Sequence, residues 1–142
     1  MLELRTLGLM NLRGPDGTDC DAVQRQPKRL ALLAFLAASS PRRYHRRDVL
    51  LATFWPELDT PHARAALRRS IYFLRQALGD SAIEGRGDEE IAAGPDVWCD
   101  AAAFDAAIAA GRLEDALELY HGDLLAGVFL SGAPAFEQWL DG

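Results

Sequence analysis

The chain has 142 residues, of which 49% are hydrophobic and 25% are charged, with a formal net charge of −6, a composition that predicts one globular domain with or without an appendage. No run approaches the roughly eighteen uncharged apolar residues of a membrane span, and the N-terminal MLELRTLGLM lacks the basic lead and small-residue cleavage site of an export signal. We therefore expect a cytoplasmic protein without a membrane partner.

The charges are divided unevenly along the chain. Residues 1–80 hold 13 Lys/Arg and 8 Asp/Glu, a balance of +5, whereas residues 81–142 hold 2 and 13, a balance of −11. Such asymmetry indicates a nucleic-acid or membrane partner for the basic part.

The first half of the chain begins with strand-like sequence and continues with a helix. The segment LELRTLGLMNLRG is Leu-rich and partly alternating, and it runs into the turn GPDG at residues 14–17, which predicts one or two β-strands. Pro27 suits the first position of a helix that buries Leu30, Leu33 and most of its other surface before SSPRR at 39–43 ends it.

A second helix precedes the third helix, and a β-hairpin follows it. A second helix is predicted to begin near Arg46 and to end at FWPE, because Pro56 disfavours the helical conformation at Trp55. After the third helix, AIEGRGDEEIAA at 82–93 predicts a β-hairpin with a Gly-Arg-Gly-Asp tip. Three helices followed by a hairpin is the order of a winged helix.

The third helix, PHARAALRRSIYFLRQAL at 61–78, contains four arginines and no acid. Thr60 is its predicted cap, Pro61 its first residue, and Gly79 the residue past its end. At about 100° per residue, the polar residues share an arc of about 140°, and Leu67, Ile71, Leu74 and Leu78 form a neighbouring core face. The residues of the polar arc are Arg64, Arg68, Arg69, Tyr72, Arg75 and Gln76.

Two interpretations of this helix are open. A rod of about 27 Å fits the major groove, where Arg reads guanine, Gln reads adenine and further arginines contact phosphates. Alternatively, the arc is a solvated surface that happens to be basic. The missing acids and the helix-turn-helix position favour the groove.

From about residue 96 the sequence becomes Ala-rich and acidic. DAAAFDAAIAAGRLEDALELYHGDLL at 100–125 breaks at Gly111 into two amphipathic helices, and APAFEQWLDG at 133–142 begins another helical segment. One helix pair of this kind does not bury its own face. It either docks on the preceding domain or belongs to a longer protein. Docking would bury Phe104, Ile108, Leu117 and Leu119, with Trp98 and Trp139 as joints.

Residues for other chemistry are sparse. His45, His62 and His121 lack metal-ligand spacing, Cys20 and Cys99 fit no metal or redox motif, and GRG at 85–87 lacks the phosphate-loop pattern. Adjacent acids such as Glu114 and Asp115 read as solvated surface. We expect two free thiols, no metal, no cofactor and no enzyme.

The sequence resembles SARP-like bacterial transcriptional activators. LRRSIYFLRQALGD is similar to the recognition helix of their OmpR-type winged-helix domain, RRDVLLATFWPE to the preceding helix, and AIEGRGDEEIAAGPDVWCD to the wing and exit. Residues 100–130 resemble the start of the bacterial transcriptional activator domain, a tetratricopeptide-like helical module.

The resemblance implies promoter binding, often at direct repeats, and recruitment of RNA polymerase. It places Arg64, Arg68, Arg69, Tyr72 and Gln76 on the DNA-facing side and Arg86 at the wing tip. Two features depart from the family. The wing contains the acidic DEE at 88–90, which is poorly suited to face phosphates, and the helical module is far shorter.

The fold class predicted is α+β: a winged helix-turn-helix with a small N-terminal β-sheet and a C-terminal β-hairpin wing, followed by an α-helical hairpin. Residues 1–99 form the DNA-binding domain, and 100–142 begin a truncated helical activator domain. The function predicted is sequence-specific binding of double-stranded DNA in transcription regulation. The alternative is a protein-interaction module whose winged helix no longer binds DNA. The oligomeric state, including a dimer on DNA, stays open.

Overall fold

A computed structural model of the chain shows a mixed α+β fold with two three-stranded sheets and six α-helices among the residues that it describes. The described residues are 2–8, 11–14, 16–38, 44–87, 89–95, 97–122, 124, 135, 136 and 139.

The first sheet joins the N-terminus to the end of the hairpin region. Strand β1 (Leu2–Arg5) pairs antiparallel with β2 (Asn11–Arg13) and parallel with β6 (Val97–Cys99). The alternation in β1 buries Leu2 and Leu4 and leaves the intervening side chains at the surface, which is the period of a half-buried strand. The predicted N-terminal sheet is confirmed, and β6 is an addition to it.

Four helices follow β2. They are α1 (Asp21–Gln24), α2 (Pro27–Ala37), α3 (Arg47–Phe54) and α4 (Thr60–Leu78). Helix α2 begins at Pro27 as predicted, whereas the predicted stop at 39–43 lies outside the described residues. Helix α1 was not predicted, because four residues are too few to show a periodic pattern.

The cap of α4 differs from the prediction by one residue. The side chain of Asp59, and not that of Thr60, accepts a hydrogen bond from the backbone N–H of His62, at 3.0 Å. Thr60 is already the first helical residue, and Asp59 has the extended backbone conformation of a cap. Gly79 lies past the end of α4 with a φ of +104°, as the prediction required.

The second sheet contains the predicted hairpin. Strands β4 (Ile83–Arg86) and β5 (Glu90–Ala93) pair antiparallel, and the two-residue strand β3 (His45–Arg46) pairs with β5. The backbone N–H of Arg47 donates to the carbonyl of Glu89 at 2.8 Å. The start of α3 is therefore attached to the base of the hairpin tip.

The core lies between α2, α3, α4 and the sheets. The predicted core face of α4 is buried at Leu67, Ile71 and Leu74, and Leu78 is partly buried. Each fully buried side chain of this size stabilises the fold by about 1.5–3 kcal/mol. An aromatic cluster of Phe35, Phe54, Phe136 and Trp139 extends the core, with ring centroids 4.9 to 5.7 Å apart in the described pairs.

The last two helices with assigned bounds, α5 (Asp100–Ala109) and α6 (Leu113–Leu119), form the predicted helical hairpin, which turns at Gly111 with a φ of +76°. The predicted burial of Ile108 and Leu117 is wrong, because they are 46% and 73% exposed.

Apart from Asp100, the buried positions of these helices are alanines: Ala101 and Ala107 of α5 and Ala116 of α6. The small side chain of alanine lets neighbouring elements approach closely at these positions. Phe104 and Leu119 are partly buried. After α6, Phe136 and Trp139 pack on the core, although most of the predicted segment 133–142 lies outside the described residues.

Candidate nucleic-acid interface

Helix α4 presents a basic face to the surface. Its inward face consists of Ala63, Leu67, Ser70, Ile71 and Leu74, all buried. The outward arc is exposed along its length, and Tyr72 near its centre is 66% exposed. The predicted residues that are exposed on it are Arg64, Arg68, Arg69, Tyr72 and Gln76. The structure therefore brings five predicted residues together on one accessible surface.

The N-terminal half of this surface borders a cavity of about 290 Å³. Arg64 and Arg68 line it together with Arg47 and Asp48 of α3 and Glu89 of the hairpin turn. The Nη2 atom of Arg64 lies 4.0 Å from Oδ1 of Asp48. This is an exposed ion pair, a class that contributes about 0–1 kcal/mol.

The C-terminal half borders a shallower groove of about 510 Å³. Arg68, Arg69, Tyr72 and Gln76 line it, with Arg29 and Phe73 at its side. The Arg29 guanidinium lies 4.7 Å from the centre of the Phe73 ring, and its Nε is 3.4 Å from Oγ of Ser70. The ring and the hydroxyl thus hold a fifth arginine, from α2, beside the arc.

Arg75 has a partner inside the protein. Its Nε and Nη2 atoms donate to the backbone carbonyl of Ile83, at 3.2 and 2.9 Å, and the side chain is partly buried. These bonds tie the last turn of α4 to β4. The contact of Arg75 with DNA stays a prediction, and the structure adds a role in joining the helix to the hairpin.

Arg86, the predicted wing residue, is held by an acid. Its Nε and Nη2 atoms donate to the two carboxylate oxygens of Glu90, at 3.0 and 3.1 Å, and its guanidinium lies 4.4 Å above the Tyr44 ring. Glu84 accepts a hydrogen bond from the Tyr44 hydroxyl at 3.1 Å. The positive charge at this end of the hairpin is therefore largely neutralised.

Two arginines beside the arc were missed by the prediction. Arg29 and Arg47 lie on other helices, and the periodicity of α4 says nothing about them. The pairs Lys28–Arg29 and Arg46–Arg47, each in or just before a helical first turn, were the available signal, since basic residues are unfavourable at a helix N-terminus without an anionic partner.

Other chemically active groups are isolated. No cluster of three or more His, Cys, Asp or Glu suited to a metal ion occurs within the described ranges. Cys20 and Cys99 are free, as predicted, and burial raises the pKa of both thiols, which disfavours the reactive thiolate. In the part of the chain that the structure describes, no helix is long and apolar enough to cross a membrane.

The chain is similar in structure to Mycobacterium tuberculosis EmbR, solved in complex with a low affinity phosphopeptide. The TM-score is 0.65 and the identity 25%, over 99% of this chain and 41% of that chain, so this chain spans less than half of EmbR. No protein-family model and no curated protein matches the sequence. EmbR belongs to the SARP family of transcriptional regulators, which is not an enzyme family. The likeness supports a SARP-like regulator fold for this chain.

Proposed function

We propose that the chain is a sequence-specific double-stranded DNA-binding transcriptional regulator of the activator type, and that α4 is its recognition helix in the major groove. The observation that carries this proposal is the exposed arc of α4, which presents Arg64, Arg68, Arg69, Tyr72 and Gln76 without any acid on the helix. The 19 residues of α4 span about 28 Å, and a helix of that size fits the groove.

Different residues of the arc suit different parts of DNA. Arg68 and Tyr72 lie near its centre, and Gln76 lies one turn beyond Tyr72, positions from which Arg reads guanine and Gln reads adenine. Arg64 and Arg69 flank them and are placed for phosphates, which position a protein without reading sequence. The β4–β5 hairpin then acts as the wing, and its contribution to DNA affinity is small because Arg86 is paired with the carboxylate of Glu90.

The domain division follows from the same proposal. Residues 1–99 bind the promoter, with direct repeats as the expected arrangement, and 100–142 begin the helical part through which RNA polymerase would be recruited. The protein acts in the cytoplasm, and its oligomeric state on DNA is a separate measurement. The regulator fold shared with EmbR supports the general class, and the basic arc supports the nucleic-acid partner.

Titration of a labelled duplex of mixed sequence between 50 and 200 mM salt tests the proposal. If about four to six phosphates are neutralised, the logarithm of the affinity falls with the logarithm of the salt concentration with a slope of about −4 to −5. Arg68→Ala is expected to cost about 1–3 kcal/mol on a selected site and to relax the preference at one base pair.

The matched control is Arg112→Ala, which removes an exposed arginine from the turn between α5 and α6. It is expected to leave the affinity and the selected sequence unchanged. An affinity that does not vary with salt would contradict DNA binding through this arc.

The second candidate is a protein-interaction module with a winged helix that no longer binds DNA. Two observations favour it: the neutralised Arg86, and the apolar stripe of α6, where Leu113 and Leu117 are 59% and 73% exposed. A folded chain that binds no duplex even at low salt would favour this candidate over the first.

A further inference from the structure

The cavity beside the N-terminal half of α4 collects charges from three elements. Arg64 and Arg68 come from α4, Arg47 and Asp48 from α3, and Glu89 from the turn of the hairpin. Three arginines and two acids therefore line the cavity. The volume of about 290 Å³ is several times the roughly 30 Å³ that one water molecule occupies in the liquid, so a tetrahedral anion and some of its waters fit inside.

The two acids do not satisfy the three arginines of the cavity. Asp48 divides its oxygens between two partners: Oδ2 lies 3.4 Å from Nη2 of Arg46, outside the cavity lining, and Oδ1 lies 4.0 Å from Nη2 of Arg64. Arg47 and Arg68 have no ion pair with any residue that the structure describes.

Arg47 contains a more specific signal. Its Nε atom is buried and has no hydrogen-bond acceptor among the described residues. A buried N–H without an acceptor is unfavourable, and such groups are rare in folded proteins. The backbone N–H of Arg47 is already bonded to the carbonyl of Glu89, which fixes the start of its side chain beside the cavity.

We propose that this cavity is a seat for one phosphate group of the DNA backbone, held by Arg47 and Arg64, and that Asp48 is the resident anion which the phosphate replaces. The inference rests on the proposed DNA binding and adds two residues of α3 to it. A guanidinium group binds phosphate through paired N–H donors, which matches a site built from arginines and not from lysines.

The exchange is favourable because the resident pair is weak. Asp48 and Arg64 are both more than half exposed and are separated by 4.0 Å, whereas a phosphate oxygen can approach a guanidinium to about 2.8 Å. Arg68 borders both this cavity and the shallower groove. It therefore lies between the phosphate seat and the side chains proposed to read bases.

Opposite effects are expected at two neighbouring positions of α3. Asp48→Asn removes the competing anion and is expected to tighten duplex binding about three- to tenfold at low salt. Arg47→Ala removes a phosphate contact, so it is expected to weaken binding by a similar factor on every duplex and to make the salt slope shallower by about 0.9.

The experiment measures both variants on two duplexes of unrelated sequence, together with their melting temperatures. Glu114→Gln, an acid-to-amide change on exposed α6, is the control for net charge and is expected to change the affinity less than about twofold. Arg47→Lys keeps the charge without the paired donors and is expected to bind between wild type and Arg47→Ala. In the Arg47→Ala background, the gain from Asp48→Asn is expected to shrink, because the two residues act on the same seat.

Three results would overturn the seat. If Asp48→Asn and Arg47→Ala both bind duplex with the affinity of wild type, the phosphate seat is refuted, while DNA binding through α4 is not. A gain from Glu114→Gln equal to that from Asp48→Asn would assign the effect to net charge. The third result compares the melting temperature of wild type in inorganic phosphate with that in chloride of equal ionic strength. If phosphate raises the melting temperature while Arg47→Ala binds duplex with the affinity of wild type, the seat binds a free anion and not the duplex. If the wild-type chain binds no duplex, the proposed function itself is refuted.

Discussion

Asp100 is the residue whose replacement we expect to affect folding most clearly. Its carboxylate is 0% exposed, and it accepts hydrogen bonds from the backbone N–H and hydroxyl of Thr6, at 2.7 and 2.8 Å, and from the backbone N–H of Leu7, at 3.0 Å. It thereby joins the start of α5 to the end of β1.

The cost of removing this carboxylate is estimated from its three N–H and O–H donors. Asp100→Ala leaves two backbone N–H groups without their acceptor, at about 1–3 kcal/mol each, so we expect a loss of about 3–5 kcal/mol in the free energy of unfolding. Asp100→Asn keeps one oxygen acceptor but turns an N–H₂ group toward a donor, so we expect a smaller loss of about 1.5–3 kcal/mol.

Urea unfolding followed by tryptophan fluorescence measures both values, since Trp98 lies two residues before Asp100. The exposed Asp105 of the same helix provides the control, and Asp105→Ala is expected to stay within about 0.5 kcal/mol of wild type. The reasoning is refuted if Asp100→Ala unfolds at the same urea concentration as Asp105→Ala, or if the asparagine variant is less stable than the alanine variant.

Four other predictions address the interface and the termini of the helices. Arg68→Glu is expected to abolish duplex binding while keeping or raising the melting temperature, because it relieves the repulsion from Arg64; a variant that still binds duplex like wild type contradicts the role of the arc. Arg75→Ala is expected to weaken all duplexes similarly and to lower stability by about 1–2 kcal/mol through its bonds to β4, and an unchanged urea midpoint contradicts the second part. Deleting residues 100–142 is expected to destabilise residues 1–99 or to make them aggregate. A 1–99 fragment that melts as high and as cooperatively as the full chain would show that residues 100–142 do not stabilise it. Hydrogen bonds from His62 lower the pKa of Asp59 below its ordinary 3.8, so the cap stabilises the fold fully above pH 3.8 and loses this contribution as the pH falls below it. The melting temperatures of wild type and Asp59→Ala should therefore converge below pH 3.8. A constant difference down to about pH 2 is the contrary result.

The helices with strong local signals were predictable from the sequence. Pro27 and Gly79 mark one start and one end, and the separation of leucines from arginines on α4 identified its buried face. These features depend on residues within a few turns of each other, so they appear in the sequence directly.

Features that depend on distant residues were not predictable in the same way. Strand β6 pairs with β1 across more than ninety residues, and the burial of Asp100 depends on donors at the other end of the chain. The exposure of Leu117 was predicted wrongly, because amphipathic periodicity identifies an apolar face without identifying what covers it. Three alanines of α5 and α6 are buried instead, and periodicity does not separate them from solvent-facing alanines.

At the candidate interface, the sequence predicted which residues of α4 share the exposed arc, but not the partners of the neighbouring arginines. The bond of Arg75 to Ile83 and the pairing of Arg86 with Glu90 depend on how the hairpin packs and on its register. Arg47 was missed because its neighbours in space come from α4 and from the hairpin turn. The role of a basic residue near a helix start can be inferred only when the positions of these neighbouring elements are known.

The arrangement of acids around α4 distinguishes the two explanations of its basic face. A merely solvated helix lowers its repulsion most simply with acids three or four residues from its arginines, which stabilise a helix by a few tenths of a kcal/mol per pair. Here the pair Arg64 and Arg68 receives its nearest counter-charge from Asp48 on α3, at 4.0 Å from Arg64, while the exposed arc itself stays free of acids. An acid on α4 would remain in the contact surface when an anion binds, whereas Asp48 lies at its edge and can be replaced. The arrangement therefore favours an anionic partner, because it leaves the repulsion between the arginines to be relieved by that partner.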